Sequence, residues 1–519
     1  MNKTAYRRFL LVIFIVALLF RLPRLGLRPM HHDEANQAVK FGMLLEKGEY
    51  RYDKTDHHGP SLYYLTLPVA RALSQTTLTK LNEVTLRLLP VLFGTGIILL
   101  LLFFSKEMSR AAILFAGLFA AISPAMVYYS RFYIQEMLFT FFILGFLGSL
   151  WRYLTAPSVR RVLMAGFFAG MMFATKETSI IIFASAGGAI VLTVILQKIW
   201  PQTPYRLTVP GLPALILGGV VGLATAAAFF SSFFKNPRGI WDSVLAFGGY
   251  FEKGGTAGLH AHPWWYYLKL LAATKSGAGP LWSEALILAL ALAGIVSAFF
   301  PRAQKQMVPS PARFIFFYTL LATAVFSLIP YKTPWNLLPF FIGFIILAGI
   351  GAGALLEAVR ENYLKALVLV VLAAGIFHLG KLCYLANFKF YADPVNPYVY
   401  AQTSTDYLKL VKRVNDLAAL QPSGKGMLIK VVCNPEETWP LPWSLRGFGR
   451  VGYWKDARGA GGFDDAAVVI SSREEAEKNA PLLRDRFQTE YYGLRPGVFL
   501  VLHIRQDLWQ KFMKEKAGS

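Results

Sequence analysis

The chain has 519 residues, of which 55% are hydrophobic and only 16% charged, and its mean hydropathy is +0.44. Apolar content on that scale exceeds what soluble cores bury, and two cysteines exclude a disulfide scaffold. The 53 Lys and Arg outnumber the 30 Asp and Glu, but they sit between apolar runs and in a polar tail, with no basic helix carrying interleaved aromatics. That distribution excludes a nucleic-acid partner and describes a polytopic α-helical membrane protein.

Lys3, Arg7 and Arg8 precede an apolar run from Phe9 to Phe20, followed by Arg21, Pro23, Arg24 and Arg28 in place of a small-residue cleavage site. This predicts an uncleaved first span. Further runs at 86–104, 111–129, 135–154, 162–175, 178–197, 212–234, 281–300, 313–329, 335–355 and 365–385 bring the total to about eleven spans, 162–175 being short enough to be tilted or re-entrant. With the N-terminus cytoplasmic, Lys and Arg concentrate in the inner connections, and the short outer ones hold only Arg131, Lys176 and Lys332.

The chain therefore divides into a transmembrane part, 1–385, and an extracytoplasmic α/β domain, 386–519. Two outer loops, 29–85 and 235–280, belong to the first part. In the tail, β-type runs at Leu428 to Val432, Ala467 to Ile470 and Val498 to Ile504 alternate with helical patterns at Ser404 to Leu420 and Arg473 to Arg486. Cys383 and Cys433 carry no pairing signal.

The first outer loop departs from ordinary membrane-protein composition. His31, His32, Asp33 and Glu34 follow the first span, and Asp56, His57, His58, Gly59 and Pro60 come later, with an amphipathic helical pattern from Ala35 to Lys47 between them. A carboxylate at the mouth of a span, as Asp33 is, is costly unless used; Asp56 and Glu46 read as solvated loop charges. Glu136 opens the fourth span, with Arg131 as a partner that either fixes the loop or belongs to a site. Lys176-Glu177 interrupts an apolar stretch. Lys332 lies in a turn held between Pro330 and Pro334, where it is either placed for function or snorkelling. His262 opens an aromatic segment running to Tyr267.

All these groups map to one side of the membrane. Carboxylates with several cations suit an acceptor that must lose a proton and a leaving group that departs as an anion, as in transfer from a lipid-linked phosphosugar. The same side chains compete for a metal. Asp33, His58 and Glu136 are the better set for Mg²⁺ or Mn²⁺, although no spacing is diagnostic and no cofactor is required. The tail aromatics Trp439, Trp443, Trp454, Tyr491 and Tyr492 either stack on sugars or fill the domain core.

His31-His32-Asp33-Glu34-Ala35, His57-His58-Gly59-Pro60, Arg131 to Glu136, Thr175-Lys176-Glu177-Thr178, Pro330-Tyr331-Lys332-Thr333-Pro334-Trp335 and, in the tail, Trp439 to Arg446 occur in the order of a known pattern. It resembles the GT-C membrane glycosyltransferases, a class that includes protein O-mannosyltransferases and the aminoarabinose transferase of lipid A. It is most similar to a subfamily labelled flippase-associated. The resemblance implies a catalytic aspartate at Asp33 with Glu34 beside it, and a second acidic residue at Glu136. From the groups gathered on this face, His57, His58, Arg131, Lys176, Lys332 and His262 are the expected donor-binding set. His58 stands where the aminoarabinose branch has lysine, which makes phosphate binding there sensitive to pH.

The expected activity is inverting transfer of a sugar from a polyprenyl-phosphate-linked donor to a glycan, lipid or protein acceptor. It is expected on the extracytoplasmic side of a bacterial or archaeal plasma membrane. The alternative is a lipid-linked glycan flippase component without transferase activity. Such a protein marks its path with mid-span charges in repeated halves, whereas here the charges gather at one face.

Overall fold

The architecture is taken from a computed structural model that describes residues 2–54, 58–201, 207–255, 258–300 and 310–518. Helix α1 (Lys3–Arg21) opens on Asn2, whose Oδ1 accepts from the Ala5 amide at 2.8 Å. The amphipathic α2 (His32–Lys47) and α3 (Ser61–Ala72) follow, then α4 (Glu83–Leu100), α5 (Arg110–Ile122), α6 (Pro124–Ser130), α7 (Glu136–Thr155) and α8 (Val159–Phe173). Next come α9 (Ser179–Ile199), α10 (Leu212–Phe230), α11 (Arg238–Gly255), α12 (Tyr266–Ala272), α13 (Ala285–Phe299), α14 (Ala312–Leu328), α15 (Leu338–Ala358) and α16 (Asn362–Tyr384).

Every apolar run read from the sequence is helical, and length and composition alone mark fewer than eleven of the helices as spans. Among the described residues six helices are long and apolar enough to cross a membrane, or seven if the bent pair α5–α6 is one span. The run expected at 111–129 breaks by 59° at Ser123-Pro124. Proline has no N–H to continue the ladder, and the Ser123 Oγ caps the new helix through the Met126 amide at 3.2 Å. The run at 162–175 forms the 15-residue α8, and α13 and α14 are likewise short. Where α13 crosses α15, Gly294 and Gly351 each face the other helix's backbone, so any larger side chain would force the two apart.

The tail begins with α17 (Tyr407–Ala419) and β1 (Leu428–Val432), then the single turns α18 (Pro435–Thr438) and α19 (Leu441–Ser444). Strands β2 (Arg450–Trp454) and β3 (Val468–Ser472), the short α20 (Arg473–Lys478) and α21 (Ala480–Leu483), strands β4 (Phe487–Arg495) and β5 (Val498–Arg505), and α22 (Gln506–Gly518) complete it. The sheet order is β2-β1-β3-β5-β4, with β1 parallel to both neighbours and β5 antiparallel to both of its own. One face packs Leu500, Leu502 and Ile504 against Leu410, Val414 and Phe512; the other packs Val432 and Val469 against Phe463 and Leu483. The two edge strands, β2 and β4, are those the sequence pattern did not reveal, because half-exposed edges dilute the apolar alternation.

The tail is fastened to the helices beside α2. The Trp443 indole N–H donates to Glu83 Oε1 at 2.8 Å and the Arg446 guanidinium to the Leu81 carbonyl at 2.8 Å. The incoming strap at 398–402 accepts from Tyr129 Oη at its Tyr398 carbonyl, 2.9 Å, and donates from Gln402 Nε2 to the Pro29 carbonyl, 2.9 Å.

Candidate active site

The adjacent carboxylates of Asp33 and Glu34 are turned to different work by the first turn of α2. Glu34 is fully buried, and donors surround it: Arg87 Nε at 2.7 Å from Oε1, Arg87 Nη2 at 2.7 Å from Oε2, and the amides of Tyr133 at 2.9 Å and His31 at 3.1 Å. Burial raises such a carboxyl, but the charges of Arg87 and Arg28 and the hydrogen bonds from Arg87 and Tyr133 outweigh it and hold Glu34 below the usual range. Its lone pairs are committed, so it joins α2, α4 and the entry to α7.

Asp33, one residue earlier, keeps 42% of its side chain exposed. The His31 ring fixes its position. His31 Nδ1 accepts the Asp33 amide at 3.0 Å, so the ring proton is on Nε2, which donates to the Tyr400 carbonyl at 3.0 Å. The His31 ring also stands edge-on to Phe132 and Trp335, with centroids at 5.2 and 6.0 Å.

Glu136 is buried in the first turn of α7, where the helix dipole favours negative charge. Its partner is Lys176, whose Nζ lies 2.7 Å from Oε1 and 2.8 Å from Asn336 Oδ1. Oε2 of Glu136 has no hydrogen-bond partner among the described residues. The expected pairing with Arg131 does not occur. That guanidinium faces away and donates to the carbonyls of Phe20, Arg21, Pro23 and Arg24 at 2.7–3.3 Å. Two of these carbonyls belong to the last turn of α1 and two to the turn that follows it, so Arg131 is consumed in capping the end of α1.

Of the two loop histidines, His57 lies outside the described residues. His58 Nδ1 is 2.8 Å from Glu177 Oε2, and Tyr52 Oη donates to the other Glu177 oxygen at 3.4 Å. The next residue, Gly59, lies against the Ala174 carbonyl where a methyl group would overlap it, and the Ser61 amide donates to that carbonyl at 3.0 Å. The first loop is thereby pressed onto the segment that carries Lys176 and Glu177.

Lys332 is buried, which lowers its pKa, and two of its N–H groups donate to the carbonyls of His262 at 2.9 Å and Ile329 at 2.5 Å. The His262 ring stacks on Tyr266 at 4.2 Å, and its Nε2 has no partner among the described residues. Burial, then the charges of Lys332 and His260, lower its pKa and favour the neutral ring.

Tyr331, passed over in the sequence reading but beside Lys332 in the Pro-bounded turn, feels the charge of both Asp33 and Glu136. Burial raises the Tyr331 phenol to about 12, and the charge of Asp33, the nearby Tyr400 and the charge of Glu136 each add to it. The wall continues through His260, whose ring lies 4.7 Å from that of Tyr331 and whose Nδ1 meets the Tyr400 hydroxyl at 2.5 Å. Sequence reading also left Arg87, Asn336 and Tyr400 unassigned. Tyr331 and Asn336 flank residues already singled out in the Pro-bounded turn, whereas Arg87 sits in an apolar run and was visible only as a charge out of place.

The proposed metal set does not assemble. His58 is turned to Glu177 instead of toward Asp33 and Glu136, and among the described residues no three His, Cys, Asp or Glu side chains are placed to hold one ion.

The family described as dolichyl-phosphate-mannose-protein mannosyltransferase matches residues 68–217. No curated protein matches by sequence. Among solved structures, the chain is similar to ArnT from Cupriavidus metallidurans bound to undecaprenyl phosphate, with 16% identity over 98% of this chain and 99% of that one and a TM-score of 0.65. It is also similar to the archaeal oligosaccharyltransferase AglB from Archaeoglobus fulgidus in complex with an inhibitory peptide and a dolichol-phosphate, with 13% identity over 98% and 77% and a TM-score of 0.56. A third match is the S. cerevisiae protein O-mannosyltransferase Pmt1-Pmt2 complex bound to the sugar donor, with 9% identity over 80% and 92% and a TM-score of 0.56. These are GT-C membrane glycosyltransferases, and the chain has their fold.

Proposed function

We propose that the chain is an inverting membrane glycosyltransferase that moves a sugar from a polyprenyl-phosphate-linked donor to an acceptor hydroxyl. The observation that carries this reading is a partly exposed carboxylate, Asp33, next to the His31 ring that packs on Trp335, with Asn336 of the same turn sharing Lys176 with the buried Glu136. Asp33 takes the proton of the acceptor hydroxyl as that oxygen attacks the anomeric carbon. The bond from that carbon to the phosphate oxygen breaks with its electron pair, and the polyprenyl phosphate leaves on the opposite face of the sugar. Lys176 and Lys332 supply positive charge toward the departing phosphate.

The second oxygen of Glu136 is available to orient the acceptor hydroxyl. Glu34, Arg87 and Arg131 are positioning residues in this scheme, and no step is assigned to a divalent cation. The short-loop charge count supports a site and a tail on the extracytoplasmic side, with the N-terminus cytoplasmic. The neighbours differ in what they glycosylate, so the acceptor is taken only as a hydroxyl-bearing glycan, lipid or protein.

The test is reconstitution of the purified chain in liposomes with polyprenyl-phosphate sugars and a panel of membrane-derived acceptors, following both transfer and translocation of label. Label appearing on an acceptor is the expected result. Translocation of the lipid-linked sugar without transfer would replace this reading with that of a flippase component.

A further inference from the structure

The tail contains a cleft that the reaction above does not use. It has a volume of about 710 Å³ and lies between the α20–α21 turns and one face of the β4–β5 hairpin. The register of that hairpin pairs Thr489 with His503, Tyr491 with Val501 and Gly493 with Phe499, so these six residues share the face. Along it, burial falls away from one end to the other. His503 is buried between the hydroxyls of Ser471 and Thr489, each 3.1 Å from a ring nitrogen, whereas Tyr491 and Phe499 are 67% and 46% exposed. These two exposed rings, diagonal to one another in the register, offer apolar surface to a ligand at that end of the cleft.

What lies around the rings narrows the ligand. Arg473, Arg484 and Gln488 line the same cleft. Arg473 is engaged by Glu477 at 2.8 Å, and Arg484 has no acidic partner among the described residues. Aromatic faces beside planar amide and guanidinium donors match a sugar, which presents an apolar C–H face and a rim of hydroxyls. An apolar peptide or lipid would offer Arg484 and Gln488 no acceptor.

Position gives the reason for such a site. Ser404 Oγ donates to the Gly493 carbonyl, opposite Phe499 in the hairpin. Ser404 is four positions beyond Tyr400 at the edge of the candidate active site, a reach of at most about 14 Å. The exposed aromatic end of the cleft is thus the end tied to the reaction centre.

We propose that this cleft is a glycan-binding subsite that holds the length of an acceptor oligosaccharide beyond the reacting sugar. The acceptor part of the statement rests on the transferase reading; binding of a glycan does not. The experiment is ligand-observed saturation-transfer NMR on the full chain in nanodiscs, with mannotetraose as a neutral probe and tetragalacturonate as an acidic one. Wild-type protein is compared with a Tyr491→Ala/Phe499→Ala variant, whose two rings are exposed, and matching thermal melts establish that it is folded.

The expected result is transfer to the ring protons of at least one probe, with an affinity weakened at least about tenfold in the double variant. Wild-type protein that binds neither probe, or binding unchanged in the variant, overturns the proposal. Specific glycan binding by a protein that transfers no sugar would keep the subsite and remove the transferase reading, so the two failures are distinguishable.

Discussion

At the scale of single residues, the instructive contrast is between two carboxylates one position apart. Sequence alone makes Asp33 and Glu34 equivalent acids at the mouth of a span; the difference comes from Arg87, 53 positions further along the chain. Local pattern cannot show that pairing, since it is set by which face of α4 meets α2. Removing one partner of a buried, hydrogen-bonded pair costs about 3–5 kcal/mol because the other charge is left uncompensated. Glu34→Ala is therefore expected to lower the thermal midpoint and the folded yield strongly. Asp33→Asn is expected to leave both near wild type, and thermal melts of the two purified variants check the contrast. Asp33 itself was legible as a candidate because an acid at that depth needs a use. Arg131 was misread for the same reason: its charge is used, but by the open carbonyls of α1, which no spacing rule announces.

At the scale of elements, most of the helices were legible because apolar runs of bilayer length leave few alternatives. Their breaks and contacts were less so. The bend between α5 and α6 follows from a proline inside a run, visible in hindsight as a single residue. The junction of the first loop with the end of α8 was not visible at all, because it depends on Gly59 meeting the Ala174 carbonyl. A side chain there must push the two segments apart, an overpacking cost of about 1–3 kcal/mol. The same displacement shifts the adjoining Lys176, which holds Glu136. Gly59→Ala is expected to reduce transfer at least about tenfold through misplacement of catalytic groups. Steady-state kinetics on protein verified as folded checks this. The tail motif from Trp439 to Arg446 found its role at this scale too, as the turn that fastens the sheet domain beside α2.

At the scale of the whole molecule, the 398–402 strap joins the tail to the site on the helices. Tyr400 accepts from His31 through its carbonyl and meets His260 through its hydroxyl. The tail responds to acid through His503, whose burial lowers its pKa to about 4. With a lowered folded value, the unfolded chain takes up the proton first. The stability this group contributes is present above about pH 6.5 and is lost as pH falls toward 4. Melts between pH 7 and 4 are expected to show the tail weakening over that window, and His503→Gln is expected to flatten the dependence.

The proposed reaction requires Asp33 to remove the acceptor proton. It is tested most directly by the turnover of Asp33→Asn in liposomes supplied with the donor and acceptor that the wild-type chain uses. A fall of at least about 10²-fold, the usual contribution of a positioned base, with an unchanged melting temperature is the predicted result. Turnover at the wild-type rate in a folded Asp33→Asn protein would contradict it.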